Sequence, residues 1–405
     1  KYMVDLLRAN GGENIKIFGG GGGVIVPAEI RELMAYGVTR IYSPEDGATL
    51  GLQGMIDDVI RSSDHDLCAL APAEPDALDA LRSGNRRKLA RTITALETGA
   101  YGANLRRALI SAAADIRTPV LGITGTGGAG KSSLTDELIL RLRLDQDDHF
   151  NVAVVSIDPS RKRTGGALLG DRIRMNAIET PRVFMRSLAT RDTGSELSAA
   201  LPDVIAACKL SGFDLIVVET SGIGQGDAAI VPFVDLSLYV MTPEFGAASQ
   251  LEKIDMLDFA DYVAINKFDR KGAEDALRDV SKQVQRNRNL FMQAPNTMPV
   301  FGTMASRFND DGVTALYQAL REGLEDKGLQ LAAGKLPRVN VRNSTLGRAI
   351  VPGERVRYLA DIAGNVRGYH KELARQARVA RERQSLRTAK ALFEAQNQPL
   401  AGFDT

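Results

Sequence analysis

The stretch that decides the fold runs from Val120 to Ser133 and reads VLGITGTGGAGKSS. Its first five residues are apolar enough to form a buried strand. Residues 125–132 then match the G-x-x-x-x-G-K-[ST] pattern of a phosphate-binding loop, and a helix with leucines at 134, 138 and 142 follows. The pattern is specific when it lies between a strand and a helix, as it does here. The sequence therefore predicts a P-loop α/β domain.

The residues of this loop fit the chemistry of phosphate binding. Small residues at Gly128, Ala129 and Gly130 let backbone N–H groups close around phosphate oxygens, and the following helix adds the partial positive charge of its N-terminus. Lys131 supplies a point charge for the outer phosphates, and Ser132 supplies a hydroxyl for Mg²⁺. We therefore predict a nucleotide site here, with Lys131 as a catalytic residue.

A second motif predicts which base is bound. Asn266, Lys267, Phe268 and Asp269 follow the apolar strand of residues 262–265. A carboxylate in such a loop accepts two hydrogen bonds from guanine, one from N1–H and one from the exocyclic amine. Adenine lacks that pair of donors, so the site would discriminate against it. The motif favours GTP and GDP over adenine nucleotides.

Acidic residues follow two further apolar strands. Asp158 comes directly after residues 152–157, and Glu219 comes directly after residues 215–218. Asp171 lies in a glycine-rich stretch between them. Carboxylates are hard oxygen ligands, and an acidic residue at a strand end next to glycine suits sensing of Mg²⁺ and the γ-phosphate. We predict Glu219 as a catalytic residue and Ser132, Asp158, Asp171 and Glu219 as metal ligands.

The rest of the chain repeats the alternation of strands and helices. Apolar strands are predicted at 120–124, 152–157, 183–185, 215–218, 236–241, 262–265 and 298–301, with helices near 131–144, 195–210, 250–259, 271–288 and 312–326. Such a pattern indicates a mostly parallel sheet covered by helices on both faces. Residues 15–47 predict a shorter strand, helix, strand and turn. From Glu354 onward, apolar residues spaced by three and four predict a helix with one apolar stripe.

Composition excludes several classes of protein. The 405 residues suggest two or three domains, and 51 basic against 50 acidic residues give a net charge of +1, which favours neither nucleic acid nor an anionic membrane as partner. Two distant cysteines fit a reducing, cytoplasmic compartment, and the scattered histidines argue against a zinc site. No apolar run reaches membrane-spanning length. The first residue is Lys, and a strand follows early, so we expect a piece of a longer protein.

The motifs quoted above, together with residues 165–175 (GGALLGDRIRM), 219–227 (ETSGIGQGD) and 266–269 (NKFD), resemble the MeaB/ArgK-type G proteins over residues 85–330. That family serves as chaperones of adenosylcobalamin-dependent acyl-CoA mutases. The resemblance implies a phosphate loop that extends to Ser133, a nucleotide contact at Arg174, and the magnesium and guanine residues predicted above. The last guanine loop of the family contains a Ser-Ala pair, whereas residues 303–305 here read Thr-Met-Ala.

The flanks extend the resemblance. Residues 15–60 are similar to the C-terminal half of a flavodoxin-like cobalamin-binding domain, which implies cobalamin contacts at Gly20, Gly21 and Gly22. The Asp-x-His-x-x-Gly motif of that domain is absent. The tail resembles a linker to a mutase substrate domain, and such systems tend to be homodimers. The resulting domain prediction is a cobalamin-domain part at 1–70, a linker at 71–84, a G domain at 85–330 and a helical linker at 331–405.

The function predicted at this stage is a Mg²⁺-dependent GTPase that gates loading and protection of adenosylcobalamin in an acyl-CoA mutase. Two alternatives stay open. One is an ATP-dependent kinase or transport ATPase of the same architecture. The other is a cobalamin-binding module with a structural nucleotide.

Overall fold

The computed structural model describes residues 1–20, 24–158, 175–190, 197–222, 227–246, 251–252, 254–345 and 358–395. The chain divides into two compact units, Lys1–Ser344 and Thr345–Thr405. The first unit holds all the strands that the structure describes, and the second contains one long helix.

The described strands are β1 (Phe18–Gly20), β2 (Arg40–Tyr42), β3 (Val120–Gly125), β4 (Val152–Asp158), β5 (Val183–Ala189), β6 (Leu215–Glu219), β7 (Leu236–Met241), β8 (Tyr262–Asn266) and β9 (Val300–Thr303). Strands β1 and β2 form a separate parallel pair. The other seven form one sheet in the order β5-β4-β6-β3-β7-β8-β9. All neighbouring strands in it are parallel, which confirms the predicted α/β class.

The described helices are α1 (Tyr2–Ala9), α2 (Pro27–Tyr36), α3 (Pro44–Ser63), α4 (Ala77–Arg82), α5 (Arg86–Thr98), α6 (Ala103–Ala113), α7 (Lys131–Asp145), α8 (Leu201–Leu210), α9 (Met256–Phe259), α10 (Ala273–Asn287), α11 (Asp311–Asp326) and α12 (Tyr358–Ala395). Helices α5, α6 and α8 cover one face of the large sheet, and helices α7 and α11 cover the other. Alternate residues of β4 show this: Val155 packs in the cluster that contains residues of α5, α6 and α8, while Val154 packs in the cluster that contains residues of α7 and α11.

The strand order places the predicted functional residues at one edge of the sheet. Strand β3 lies at the centre between β6 and β7. Parallel strands end at the same edge, and the registers pair Ile123 of β3 and Ser156 of β4 with Glu219 at the end of β6. In open α/β sheets ligands bind at the carboxyl ends of the strands, beside the point where the strand order reverses.

The N-terminal region contains a strand, a helix and a strand in the predicted order, but β1 begins at Phe18 rather than at residue 15, where Ile15 is exposed. A second prediction there is also wrong. Residues 43–47 were predicted as a turn, and they instead begin α3. Ser43 is the N-cap: its hydroxyl accepts a hydrogen bond from the Asp46 amide, and the Asp46 carboxylate accepts one from the Ser43 amide. Serine, proline and acidic residues are common at turns and at helix starts alike, which explains the error.

The segment predicted as a linker contributes to the core. Within residues 71–84, helix α4 buries Ala77 and Leu81 completely, and both pack in the cluster that contains residues of α5 and α6. Tyr101 donates a 2.7 Å hydrogen bond to the carbonyl of Pro72.

The prediction of a helical linker at 331–405 is wrong for its first part: residues 329–344, which we call the strap, have no helix or strand and belong to the first unit. Their backbone is held by side chains of the G domain. The Asp145 carboxylate accepts a 2.8 Å hydrogen bond from the Leu336 amide, and the Gln146 side chain accepts one of 2.9 Å from the Ala332 amide. The Gln318 side chain accepts one from the Val339 amide. Polar side chains, of which Asp145 and Gln146 are buried, therefore accept hydrogen bonds from strap amides, as backbone carbonyls of a neighbouring strand do in a sheet.

In the second unit, the predicted tail helix is confirmed as α12. The apolar stripe that the sequence predicted is exposed along it, at Ile362, Val366, Tyr369 and Leu373. Among the residues that the structure describes, none of the helices combines the length and apolar character needed to cross a membrane.

Candidate functional site

The phosphate loop (residues 125–132) joins the end of β3 to the start of α7. Gly125 has a φ of +141°, and a Cβ atom there would overlap the Val240 carbonyl of the neighbouring strand. The Thr126 amide donates a 3.1 Å hydrogen bond to that same carbonyl. The loop therefore leaves the sheet in a conformation that only glycine adopts without strain at this point.

Lys131 and Ser132 begin α7 beside Glu219. The Lys131 ammonium is buried and donates to the carbonyls of Gly125 and Thr126, at 2.9 and 3.2 Å. The Ser132 hydroxyl donates a 2.6 Å hydrogen bond to one oxygen of the Glu219 carboxylate. The structure thus brings the predicted phosphate lysine, the predicted magnesium hydroxyl and the predicted acidic sensor into one cluster.

Asp158 is the last residue of β4 and is buried at the same edge of the sheet. It stands two residues beyond Ser156, which pairs with Glu219 across the strands. The other residues predicted around the phosphates, Asp171 and Arg174, lie outside the described residues. Ser133 follows Ser132 in the first turn of α7.

The residues predicted to bind guanine lie next to the phosphate loop. Asn266 ends β8, and its side-chain amide donates a 2.7 Å hydrogen bond to the carbonyl of Ala129. The Lys267 ammonium donates a 2.7 Å hydrogen bond to the carbonyl of Gly128. Two motifs that are far apart in the sequence are therefore in direct contact.

Residues 303–305, which we call the base loop, hold Asn266 from the other side. The Asn266 side-chain oxygen accepts hydrogen bonds from the Thr303 hydroxyl at 3.2 Å and from the Ala305 amide at 3.1 Å. The Phe268 amide donates to the Thr303 carbonyl at 3.1 Å. The sequence Thr-Met-Ala thus occupies the position expected for the last guanine loop.

Asp269 is exposed and makes no hydrogen bond or ion pair with any residue that the structure describes. Its neighbour Arg270 instead pairs with Glu244. Hydrogen bonds from the Thr242 side chain, the backbone and Arg270 lower the pKa of Glu244 to about 2, so Glu244 is charged at neutral pH. Because Glu244 engages Arg270, the Asp269 carboxylate keeps its capacity to accept hydrogen bonds.

Sequence reasoning missed two contributors to this site. Thr135 donates a 3.0 Å hydrogen bond to the second oxygen of Glu219, one helical turn after Lys131. The buried carboxylate of Asp310 accepts a 3.1 Å hydrogen bond from the Met304 amide of the base loop. The spacing of four residues from Lys131 could have indicated Thr135, because such residues share a helix face. No local pattern indicates Asp310.

One of the three predicted cobalamin contacts lies within the described residues. Gly20 ends β1, opposite Tyr42 of β2, while Gly21 and Gly22 lie outside the described residues.

Comparison with known proteins places these features in a family. Residues 89–346 match the family described as methylmalonyl Co-A mutase-associated GTPase MeaB. The chain is similar to a fused isobutyryl-CoA mutase of Cupriavidus metallidurans, with 64% identity over 100% of this chain and 37% of that protein. Fused isobutyryl-CoA mutases of Nocardia farcinica (58% identity; 95% and 36% covered) and Geobacillus kaustophilus (52%; 94% and 35%) are also similar. The chain spans little more than a third of each of these relatives.

Proposed function

The chain belongs to the MeaB family of GTPases, and we propose that it binds GTP and Mg²⁺ where the phosphate loop meets residues 266–269. One observation carries this proposal. The amide of Asn266 donates to the Ala129 carbonyl at 2.7 Å, so the base-reading motif and the phosphate loop are joined by a direct hydrogen bond. A nucleotide that lies along this edge meets both motifs at once.

The phosphate end is assigned to Gly128, Ala129, Gly130, Lys131, Ser132 and Ser133. Backbone N–H groups at the start of α7 bind phosphate oxygens, with the favourable partial charge of the helix N-terminus. The Lys131 ammonium, now held by two loop carbonyls, offers its positive charge to the outer phosphates. Catalysis of hydrolysis rests mainly on positioning and on stabilisation of charge by these groups.

The acidic residues at the carboxyl ends of β4 and β6, together with Ser132, fit a magnesium ion. Ser132 and Glu219 already touch at 2.6 Å, and Asp158 is a buried carboxylate at the same edge. Hydroxyl and carboxylate oxygens are the protein ligands that Mg²⁺ takes beside phosphate oxygens. When bound, the ion neutralises charge that develops on the phosphates. We assign Ser132, Asp158, Asp171 and Glu219 to it, and Arg174 to the nucleotide.

We assign recognition of the guanine base to residues 266–269. The Asp269 carboxylate accepts two hydrogen bonds from guanine, while Asn266 and Lys267 support the loop by their bonds to the phosphate loop. The buried ring of Phe268 packs beside Gly302 of β9 and fixes the loop from below. Adenine would leave Asp269 without its donors, which disfavours ATP.

The relatives that carry a mutase in the same polypeptide support a wider proposal. We assign the chain to a longer cytoplasmic, homodimeric protein in which the GTPase gates adenosylcobalamin for an acyl-CoA mutase of the isobutyryl-CoA and n-butyryl-CoA type. Residues 1–70, with Gly20, Gly21 and Gly22, belong to its cobalamin-binding domain. Residues 71–84 lie between it and the G domain at 85–330 and pack α4 into the core of that domain. Residues 331–405 lead to the mutase substrate domain.

Phosphate release from GTP and from ATP tests the proposed GTPase. We expect turnover with GTP and Mg²⁺, far slower release from ATP, and loss of activity on chelation of the metal. The variant Lys131→Ala should lower the rate about 100-fold or more, because one preorganised positive donor is lost. Lys282→Ala, on the exposed side of α10, is the matched control. Equal rates with ATP would contradict the guanine assignment, and full activity of Lys131→Ala would remove the loop from the mechanism.

A further inference from the structure

The end of the strap is tied to the base loop through one carboxylate oxygen. Ser344 is the last residue of the first unit, and its hydroxyl donates a 2.7 Å hydrogen bond to Oδ2 of Asp310. The same oxygen accepts the amide of Met304 at 3.1 Å and the amide of Val313 at 2.9 Å. Both Ser344 and Asp310 are buried. A single buried oxygen therefore holds the strap, the base loop and the start of α11 together.

Gly302 of β9 makes a second connection between the same parts. Its amide donates to the Arg342 carbonyl at 3.0 Å, and its carbonyl accepts from the Ser344 amide at 2.9 Å. The Phe268 ring packs against the position where a Gly302 side chain would stand. The strap thus forms one parallel bridge with β9, at Gly302, where the Phe268 ring of the predicted base motif packs.

The packing around Ser344 leaves no room for adjustment. A Cβ atom added at Gly312 would lie 2.5 Å from the Ser344 hydroxyl oxygen, and it would also overlap the Gly302 carbonyl. From behind, Arg141 of α7 donates a 2.9 Å hydrogen bond to the carbonyl of Asp310. The helix that begins at the phosphate loop and the strap therefore converge on Asp310.

We propose that Ser344 is a positioning residue for the guanine nucleotide, and that nucleotide binding and strap docking stabilise each other. The path runs from the Ser344 hydroxyl to Asp310, from Asp310 to the base loop, and from the Ala305 amide to Asn266. Because Asn266 also holds the phosphate loop, an ordered strap favours a site ready for nucleotide. This inference rests on the proposed function, since it needs guanine nucleotide at residues 266–269.

The coupling is reciprocal by thermodynamic necessity. If a docked strap raises nucleotide affinity, bound nucleotide must raise the stability of the docked strap by the same factor. The strap is the segment through which the chain leaves the nucleotide-binding unit, so guanine nucleotide would control order at that exit. If Ser344 had a role in folding alone, nucleotide would protect the strap no more than the rest of the unit, because a bound ligand stabilises the whole native state.

Two measurements on the 405-residue chain test this proposal. The first is the Kd for GDP, where Ser344→Ala should bind about tenfold more weakly, because a hydrogen bond to a charged group is lost. Asn340→Ala, an exposed strap residue with no described side-chain bond, is the matched control and should bind as wild type.

The second measurement is amide hydrogen exchange in residues 339–344 with and without GDP. In the wild type GDP should slow this exchange, and in Ser344→Ala the slowing should be lost. An unchanged Kd in a folded Ser344→Ala variant, or wild-type exchange indifferent to GDP, would overturn the inference. If Ser344→Ala does not fold, the wild-type exchange decides. Failure of the wild type to bind GDP at all would instead overturn the proposed function.

Discussion

At the scale of single residues, Asn266 matters most to this site. Its two side-chain atoms join the phosphate loop on one side to the base loop on the other, and the residue is buried. Both ends of this side chain are therefore hydrogen-bonded within the protein. A side chain satisfied at both ends has one orientation, which fixes the separation of two loops that must grip one nucleotide.

The variant Asn266→Ala should lose the hydrogen bonds that connect the phosphate loop to the base loop. We expect GDP affinity to fall about tenfold to 100-fold, because the Ala129 carbonyl and the Ala305 amide lose a buried partner. Isothermal titration of GDP measures the change. Asn296→Ala, exposed and without a described side-chain bond, serves as control. Wild-type affinity in Asn266→Ala would show that the two loops are held by other contacts.

The two cysteines should differ in reactivity. Burial raises the pKa of the Cys208 thiol to about 12, while Cys68 is partly exposed. Because the thiolate is the nucleophile, a maleimide at neutral pH should modify Cys68 and leave Cys208 untouched in the folded chain. Mass spectrometry of the labelled protein checks this. After denaturation the Cys208 thiol should become accessible and be labelled as well. Rapid labelling of Cys208 in native protein would contradict the packing of α8.

At the scale of elements, the strap depends on Asp145. Burial alone would raise the pKa of this carboxyl, but hydrogen bonds from Leu336, Gln146 and Tyr317, with the charge of Arg321, outweigh burial and lower it. A lowered pKa means that the ionised form stabilises the fold. This stabilisation is fully present above the ordinary pKa of 3.8 and is lost as pH falls through the lowered value.

The variant Asp145→Asn tests this account. At pH 7 it should lower the free energy of unfolding by about 1.5–3 kcal/mol, the range for hydrogen bonds to a charged group. The difference from wild type should stay constant down to about pH 4 and shrink below it, as the wild-type carboxyl gains a proton. Urea denaturation at several pH values measures both quantities. If the difference in free energy of unfolding between the variant and the wild type grew as pH falls, ionised Asp145 would not be the form that stabilises the fold.

The elements also show what a sequence can and cannot predict. The large sheet was predictable because its central strands β3, β4, β6 and β7 are mostly apolar runs that are buried along their whole length. Helix α3 was not, because Ser43 and Pro44 suit a turn as well as a helix start. The strap has no periodicity: its path depends on Asp145, which lies 191 residues before Leu336. Local patterns carry no information about such distant partners.

The same contrast holds for the site. Lys131, Ser132, Glu219 and the residues 266–269 belong to motifs whose spacing the chemistry dictates, and the fold brings them to one edge. Asp310 acts on the base loop only through the backbone amide of Met304. Because any residue at position 304 would offer the same backbone amide, the residue type there does not indicate the contact, and only the three-dimensional structure shows it.

At the scale of the whole molecule, the strand order explains how distant motifs share one ligand. Strand β3, which carries the phosphate loop, and β8, which carries the base motif, are separated only by β7. All three end at the same edge, so a nucleotide can lie across β7 with its phosphates at β3 and its base beyond β8. The net charge of +1 fits this arrangement, because a few local groups rather than a basic surface meet the anion.

The central claim is that this edge reads guanine through Asp269, and exchange of its carboxylate for an amide tests it most directly. Asp269→Asn can donate to the C2 carbonyl of xanthine but faces the C2 amine of guanine with a donor. We expect its GTP affinity to fall about 100-fold or more, and XTP to bind better than GTP, while the wild type prefers GTP. Unchanged GTP affinity in Asp269→Asn, with no gain for XTP, would contradict the account.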